Sequence, residues 1–475
     1  MNLFRALICL ISISCSSLAF AKEQPNFLVI LCDDLGYGDL GCFGNSTIKT
    51  PHLDQLAAEG IRLTDCYSSS PLCSPARAGL LTGRTPSRTG IYSWIAGGNP
   101  MHLKRDEKSI ATLLKQKGYQ TCHVGKWHLN GKFNNPQQTQ PNDHGFDHWF
   151  ATQNNASPTH RDPNNFVRNG ESVGQQKGFS CQLVANEAIN WMDDNKNSDD
   201  PFFMFVCFHE PHEPIDSPDQ LVKNYPDANK KGEALYYANV TNMDNAVGRL
   251  MKKLDDLEIS EETLVVFTSD NGPETLNRYR SAWRSHGSPG PLRGMKLHVY
   301  DGGIRVPGII RWSGKIAPKQ ISNQPVSGVD LLPTICELAD VSLPTQKTLD
   351  GTSIVPLIDG KKVKRDKPLF WHYFGGTGNR QVALRDGDWK VVARWNGPAN
   401  MPVGGSLKAG VVPALKESKL THFELYNIAE DVAETTDLAT AMPEKFKALS
   451  EEAQAMYREV ITEGPYWFDD QPQAK

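Results

Sequence analysis

The sequence predicts an α/β fold: a large, mostly parallel or mixed sheet sandwiched by helices, followed by a small C-terminal α+β part. Two observations carry this reading. From residue 26 to about 345, short apolar runs alternate with polar loops and amphipathic segments, the order that builds a parallel sheet covered on both faces. After about residue 365 the pattern changes to short strands separated by Gly- and Asp-containing turns, closed by one helical stretch.

Taken in order, Phe27-Leu28-Val29-Ile30-Leu31 is a continuous apolar run, as expected for a buried parallel strand. Thr50-Pro51 opens a helix with Leu53, Leu56 and Ala57 on its apolar side, and Gly60 closes it. Ser109 to Lys117 reads as a second helix, stopped by Gly118, and Tyr119 to Val124 returns as a strand. Leu183, Val184, Ala188, Ile189, Trp191 and Met192 mark a helix that precedes the buried strand Phe202 to Phe208. Tyr236, Val240, Met243, Val247, Leu250 and Leu254 recur at helical spacing, and the strand Leu264 to Phe267 follows. Further on, Trp371 to Phe374, Val382 to Leu384, Trp389 to Ala393 and Phe423 to Tyr426 read as short antiparallel strands, with Pro443 to Val460 as a covering helix. The stretch from Phe133 to Asn169, rich in Asn, Gln, Pro and His, reads as a loop, and loops of that length are often functional. The expected division is a leader over 1–21, a main α/β part over 22–365 and an antiparallel-sheet part over 366–475.

Composition narrows the function. The chain has 475 residues, is 39% hydrophobic and 22% charged, and carries a formal charge of -4. It lacks the overall basic footprint of a nucleic-acid binder, so an anionic ligand must be held by a local cluster. Arg5, the apolar run Ala6 to Ile13 and Ala19-Phe20-Ala21 read as a secretory signal peptide cleaved after Ala21. The alternative, a retained signal anchor, is disfavoured because the run is too short to span a bilayer. Cys15 raises a lipoprotein reading, but Ser12 stands where a larger aliphatic residue belongs. With a bacterial source assumed, the mature chain is expected in the periplasm or outside the cell, with no stable membrane span. Beyond the leader stand Cys32, Cys42, Cys66, Cys73, Cys122, Cys181, Cys207 and Cys336, without a Cys-x-x-Cys pair. One or two disulfides are allowed, their connectivity open, and Cys207 in its hydrophobic run reads as a buried thiol.

In an open parallel sheet, ligands bind beyond the carboxyl ends of the strands. Asp33 and Asp34, Asp270 and Asn271, and His209 to His212 all follow strand-forming runs. Adjacent carboxylates repel unless a cation or proton intervenes, and oxygen ligands without a Cys/His quartet favour calcium or magnesium over zinc. Taken singly, each pair also reads as a turn or a helix cap. Cys73-Ser74-Pro75-Ala76-Arg77, continued by Leu81-Thr82-Gly83-Arg84, adds a thiol and a guanidinium.

That longer string resembles the recognition sequence for formylglycine formation in the type I sulfatases of the alkaline phosphatase superfamily, the group of arylsulfatases and N-acetylgalactosamine-6-sulfatase. The rest of their pattern is present in order: Asp33-Asp34, Gly125-Lys126-Trp127-His128, Pro211-His212, Ser269-Asp270-Asn271-Gly272, Arg293-Gly294-Met295-Lys296 and Asp301-Gly302-Gly303. Asp301 departs from the Glu usual in that family, a departure read as structural. The resemblance runs from about Pro25 to the C-terminal part.

What it implies is specific. The fold would be alkaline phosphatase-like. Asp33, Asp34, Asp270 and Asn271, with the modified Cys73, would hold a divalent cation, calcium ahead of magnesium. A formylglycine-generating enzyme would oxidise Cys73 to an aldehyde (3-oxoalanine), which hydrates to a gem-diol. One hydroxyl attacks sulfur and the other expels sulfate as the aldehyde re-forms, splitting one hard step into two. Arg77 would hold the gem-diol, Lys126 and Lys296 would clamp the sulfate, His128 would act as the base and His212 as the acid.

The substrate is less legible. Arg278, Arg280, Arg284 and His286, interleaved with Tyr279 and Trp283, form a segment suited to a sulfated sugar chain, and Asn154, Asn155, His160 and Arg161 are further candidates. A sulfated galactan such as carrageenan, or a glycosaminoglycan, is the expected target. Two rival readings stand beside the sulfatase: a phosphonate or phosphate ester hydrolase of the same superfamily, and a non-catalytic glycan-binding protein with Cys73 unmodified. The sugar, the sulfate position and the oligomeric state are not written in the residues.

Overall fold

A computed structural model of the chain describes residues 24–397, 404–468 and 470. The expected signal peptide lies outside them. A ten-stranded mixed sheet forms the heart of the fold. Its central strand, Asn26–Cys32, runs parallel to Phe202–Cys207 on one side and to Thr263–Ser269 on the other. Gln120–Lys126 and His148–Thr152 extend the parallel run beyond Phe202–Cys207. Gly308–Arg311 joins antiparallel to Thr263–Ser269, and short strands complete both edges.

Every residue of Asn26–Cys32 is buried, which is why the strand reads as an apolar run instead of alternating. Phe27, Val29 and Leu31 enter one core layer, shared with the helices Cys73–Thr82 and Leu331–Leu338 and with the C-terminal sheet. Leu28, Ile30 and Cys32 enter the other, built by Pro51–Ala58, Ser180–Asn195 and Lys231–Asp256. The last of these helices is 26 residues long and buries the stripe Tyr236, Val240, Met243, Val247, Leu250 and Leu254.

Two expectations are corrected. The supposed loop from Phe133 to Asn169 contains the strand His148–Thr152, which pairs in parallel with Cys122 to Lys126 and carries the sheet toward its edge. Its polar flanks disguise it in the sequence. The disulfides allowed by an oxidising compartment do not form: all eight cysteines among the described residues are free, and seven are buried in the core.

The C-terminal sheet comprises Leu369–His372, Val382–Asp386, Trp389–Trp395 and Leu420–Asn427, all antiparallel. The helix Pro443–Glu463 covers it, burying Leu449, Ala453, Met456, Tyr457, Val460 and Ile461. This part is welded on. Tyr67, Val299, Tyr300 and Ile304 share an apolar cluster with Leu369, Trp371, Val392 and Tyr426. Beside it, Lys390 Nζ donates to Asp301 at 2.6 Å, and Tyr67 Oη donates to the other Asp301 oxygen at 2.7 Å. Asp301 is fully buried in this joint and therefore serves structure.

Candidate active site

The carboxyl ends of the parallel strands bring the sequence-nominated groups together. Asp33 and Asp34 leave Asn26–Cys32, Asp270 and Asn271 leave Thr263–Ser269, and His212 follows Phe202–Cys207. Lys126 ends Gln120–Lys126, with His128 two residues on. Gly125 is required here: its φ is +103°, and a Cβ at this position would lie 1.8 Å from the Cys207 carbonyl oxygen of the neighbouring strand. Asp34 and His128 also hold left-handed backbone, at φ 64° and 55°. Such conformations in non-glycine residues cost energy and gather at functional sites. Trp127 turns inward between His123, His144 and Phe146 and wedges the segment in place.

Cys73 arrives on a helix. It is the first residue of Cys73–Thr82, in which every residue is buried, and Gly83 ends the helix in left-handed conformation. Pro75 fits the first turn, where a missing N–H costs nothing. Cys73 and Arg77 stand one turn apart and so share a face. Burial pushes the Cys73 thiol up to about 11, against the downward pull of Lys126 and Lys296. An unmodified Cys73 is therefore a protonated thiol at neutral pH, a poor nucleophile.

The polar groups are laced tightly. Arg77 forks onto Asp270 Oδ2 through Nε at 3.1 Å and Nη2 at 2.7 Å, and Nη1 donates to the Lys126 carbonyl at 2.9 Å. Lys126 Nζ donates to Asp33 at 2.5 Å and to Asn155 Oδ1 at 3.3 Å. Lys296 Nζ donates to Asp34, with Glu274 at 3.8 Å on its other side. Asn271 Nδ2 donates to Asp34 Oδ1 at 2.7 Å. His212 Nε2 lies 3.5 Å from Asp34 Oδ2, and its Nδ1 donates to the Glu213 carbonyl at 2.5 Å.

This arrangement fits a hard cation. Asp33 Oδ1 and Asn271 Oδ1 are buried oxygens without a partner. Ligand atoms of Asp33, Asp34 and His212 all lie within 4.8 Å of one another. Burial raises Asp34 to about 6 against the pull of Lys296, and burial together with the charge of Asp33 raises Asp270 to about 7. Burial would lift Asp33 too, but Lys126, His212 and Arg77 outweigh it and hold it well below its ordinary value. Three buried carboxylates that resist common ionisation, with oxygen donors to spare, match calcium or magnesium.

The expected sugar-binding residues divide. Trp283 is 42% exposed and Arg280 is exposed. Arg278 and Arg284 are both ion-paired: Arg278 clasps Glu274 through two hydrogen bonds of 2.7 Å, and Arg284 pairs with Glu213 at 2.5 Å. His286 lies 4.0 Å from Glu233. His160 is fully buried with its Nδ1 3.1 Å from Asn239 Nδ2, and so presents no surface to a ligand. Arg161 is tied to Asp216 and Asp219. Asn154 is half-buried with an unpartnered Oδ1, beside the Asn155 that meets Lys126. Glu213, Glu274 and Gln153 were not singled out by sequence reasoning. Only adjacency to Pro211-His212 and Ser269-Asp270-Asn271-Gly272, or to the Asn154-Asn155 pair, marks them.

Comparison with known proteins gives a consistent result. A family model described as Sulfatase matches residues 25–341, and one described as N-sulphoglucosamine sulphohydrolase, C-terminal, matches residues 295–400. The chain is 35% identical over 471 residues to arylsulfatase A of Homo sapiens, covering 92% of this chain and 88% of the relative. It is 34% identical over 400 residues to N-acetylgalactosamine-6-sulfatase of Canis lupus familiaris, covering 78% and 72%. The crystal structure of Ps i-CgsB in complex with k-i-k-neocarrahexaose matches with a TM-score of 0.78 at 27% identity, over 94% of this chain and 95% of that one.

Proposed function

The chain belongs to the sulfatase family and is a sulfuric ester hydrolase, and from that premise we propose that it removes sulfate from a sulfated carbohydrate using formylglycine made from Cys73. The observation that carries this reading is the meeting of two lysines, two histidines and four oxygen-bearing side chains at strand ends around a cysteine whose own thiol is protonated.

Each residue has a task that its position supports. Arg77, fixed on Asp270 and sharing a helix face with Cys73, orients the oxygens of the modified side chain. Lys126 and Lys296 approach from different segments and neutralise the sulfate where charge redistributes. His128 is the base. His212 is the acid for the leaving oxygen. Burial, and next the charge of Lys296, hold His212 down to about 3, and a bound sulfate would oppose the part of that depression due to Lys296. Asp33, Asp34, Asp270 and Asn271, with the modified Cys73, would hold a divalent cation, calcium by its taste for many oxygens, which when bound polarises the sulfate and acidifies the attacking hydroxyl.

The carbohydrate class is a sulfated galactan such as carrageenan, or a glycosaminoglycan. Trp283, with the Arg284 guanidinium 5.2 Å from its ring centre, and Arg280 are exposed on the same segment and are the candidates for sugar contact. The names of the carrageenan-oligosaccharide complex and of N-acetylgalactosamine-6-sulfatase fall on these two classes. We place the catalytic part in residues 22–365 and the closing sheet in 366–475, with a formylglycine-generating enzyme as maturation partner and export from the cytoplasm. Among the described residues no helix is long and apolar enough to cross a membrane.

The test is a comparison of kcat/KM for 4-nitrophenyl sulfate and 4-nitrophenyl phosphate, with protein co-produced with a formylglycine-generating enzyme, followed by sulfate release from carrageenan and from chondroitin sulfate. Preference for the phosphate ester would replace this reading with a phosphoesterase, and an inactive protein with fully converted Cys73 would discard it.

A further inference from the structure

His128 is held from one side. Its Nε2 lies 3.2 Å from the carbonyl oxygen of Ile95, while its buried Nδ1 has no partner among the described residues. A carbonyl oxygen can only accept, so Nε2 carries the proton and Nδ1 keeps a bare lone pair. That tautomer is the one a proton acceptor needs.

The Ile95 carbonyl is itself gripped. Gln153 Nε2 donates to it at 3.0 Å and to the Asn130 carbonyl at 2.7 Å. The backbone oxygen of Gln153 accepts from the His128 N–H at 2.7 Å. Gln153 thus touches the His128 turn at two points and Ile95 at a third, and that turn carries left-handed backbone in need of support. At the other end of Ile95, the N–H donates to Ser74 Oγ at 3.1 Å. Ser74 follows Cys73 directly, and both Ser74 and Ile95 are fully buried.

We propose that Gln153 and Ser74 are positioning residues that hold Ile95 between them, so that its carbonyl fixes His128 in the Nε2-protonated tautomer and keeps the ring in register with the nucleophile-bearing helix. The inference rests on the reading of His128 as a base and deepens it. The contacts of Gln153 that bear on His128 run through the Ile95 and Asn130 carbonyls and the His128 N–H.

The test uses the full chain, with formylglycine content measured by mass spectrometry of the peptide ending at Arg77 and rates referred to the converted fraction. Gln153→Leu removes the donor and is expected to lower kcat on 4-nitrophenyl sulfate about tenfold, with KM within about twofold, the scale on which partners of functional histidines act. Gln153→Glu keeps the shape but sets an acceptor against an acceptor, and is expected to lose at least as much. Nitrogen-15 spectra of the histidines, with the His128 signal identified by its loss in His128→Asn, should show a bare Nδ1 in the wild type and mixed tautomers in Gln153→Leu. Wild-type kcat in both Gln153 variants, or an unchanged tautomer, overturns the proposal. With His128→Asn inactive, that result leaves His128 standing as the base. Retained activity in His128→Asn removes the base assignment and the inference with it. Should the Gln153 variants fail to fold, the wild-type spectrum decides, since a proton on Nδ1 contradicts the arrangement and a proton on Nε2 upholds it.

Discussion

Lys296 Nζ stands 2.6 Å from one oxygen of Asp34 and 2.8 Å from the other. The same carboxylate is proposed to hold the cation, so lysine and cation share its charge. Removing the cation with a chelator should abolish activity reversibly, and calcium should restore it more fully than magnesium. Thermal unfolding followed at rising calcium should climb, reaching a gain of about 2.7 kcal/mol at a hundredfold excess over Kd. A melting curve indifferent to chelator and calcium alike would remove the cation from this account.

Cys73→Ala should cost about a thousandfold or more in kcat, because a site without its nucleophile retains only binding and electrostatic assistance. The melting temperature should stay within a few degrees of wild type, since a small apolar side chain fits the same buried place. Protein made without a formylglycine-generating enzyme should match that variant in rate, and its Cys73 peptide should carry an intact thiol. High activity in thiol-only protein would end the formylglycine reading.

Burial would raise Asp301, but Lys390, then Arg305 and Arg385, outweigh it and hold the carboxyl at about 2. The folded value lies below that of an unfolded aspartate, about 3.9. The joint therefore contributes stability above about pH 4 and loses it as the pH falls through about 2. Lys390→Met takes the shared cation from two buried carboxyls, Asp301 at 2.6 Å and Glu434 at 2.9 Å, and should cost about 3–5 kcal/mol near neutral pH, with the deficit shrinking in acid as these carboxyls take up protons. Urea titrations at neutral and acidic pH read this directly, and a constant deficit would argue against the ion pair as its source.

Trp283→Ala and Arg280→Ala should raise KM for a sulfated polysaccharide while sparing 4-nitrophenyl sulfate, which has no sugar to stack. Arg278→Ala and Arg284→Ala should impair both substrates, because these arginines clasp Glu274 beside Lys296 and Glu213 beside His212. Equal losses for all four variants on both substrates would separate Trp283 and Arg280 from sugar binding.

The sequence made the central sheet legible because Asn26–Cys32 and Phe202–Cys207 are buried on both faces and so read as unbroken apolar runs. The clustering of Asp33, Asp34, Asp270, Asn271 and Lys126 was legible from their places at strand ends, and that of Lys296 from the family's ordered motifs. His148–Thr152 escaped because polar segments flank it on both sides. The arginines of the 278–286 segment looked free because one of their partners, Glu213, lies 71 residues upstream of Arg284 and only folding brings the two together. Gln153 was hidden for another reason. Its work is done through the backbone of Ile95 and His128, and backbone hydrogen bonds leave no motif.

The burial of the whole helix Cys73–Thr82 bears on when the proposed oxidation of Cys73 can take place. An enzyme that oxidises a side chain must wrap the residues around it, and here those residues are closed inside the core from Cys73 to Thr82. On the proposed formylglycine reading, that oxidation would have to precede folding, while the chain around Cys73 is still extended. A molecule that folded first would then keep its thiol, and only unfolding would expose it again.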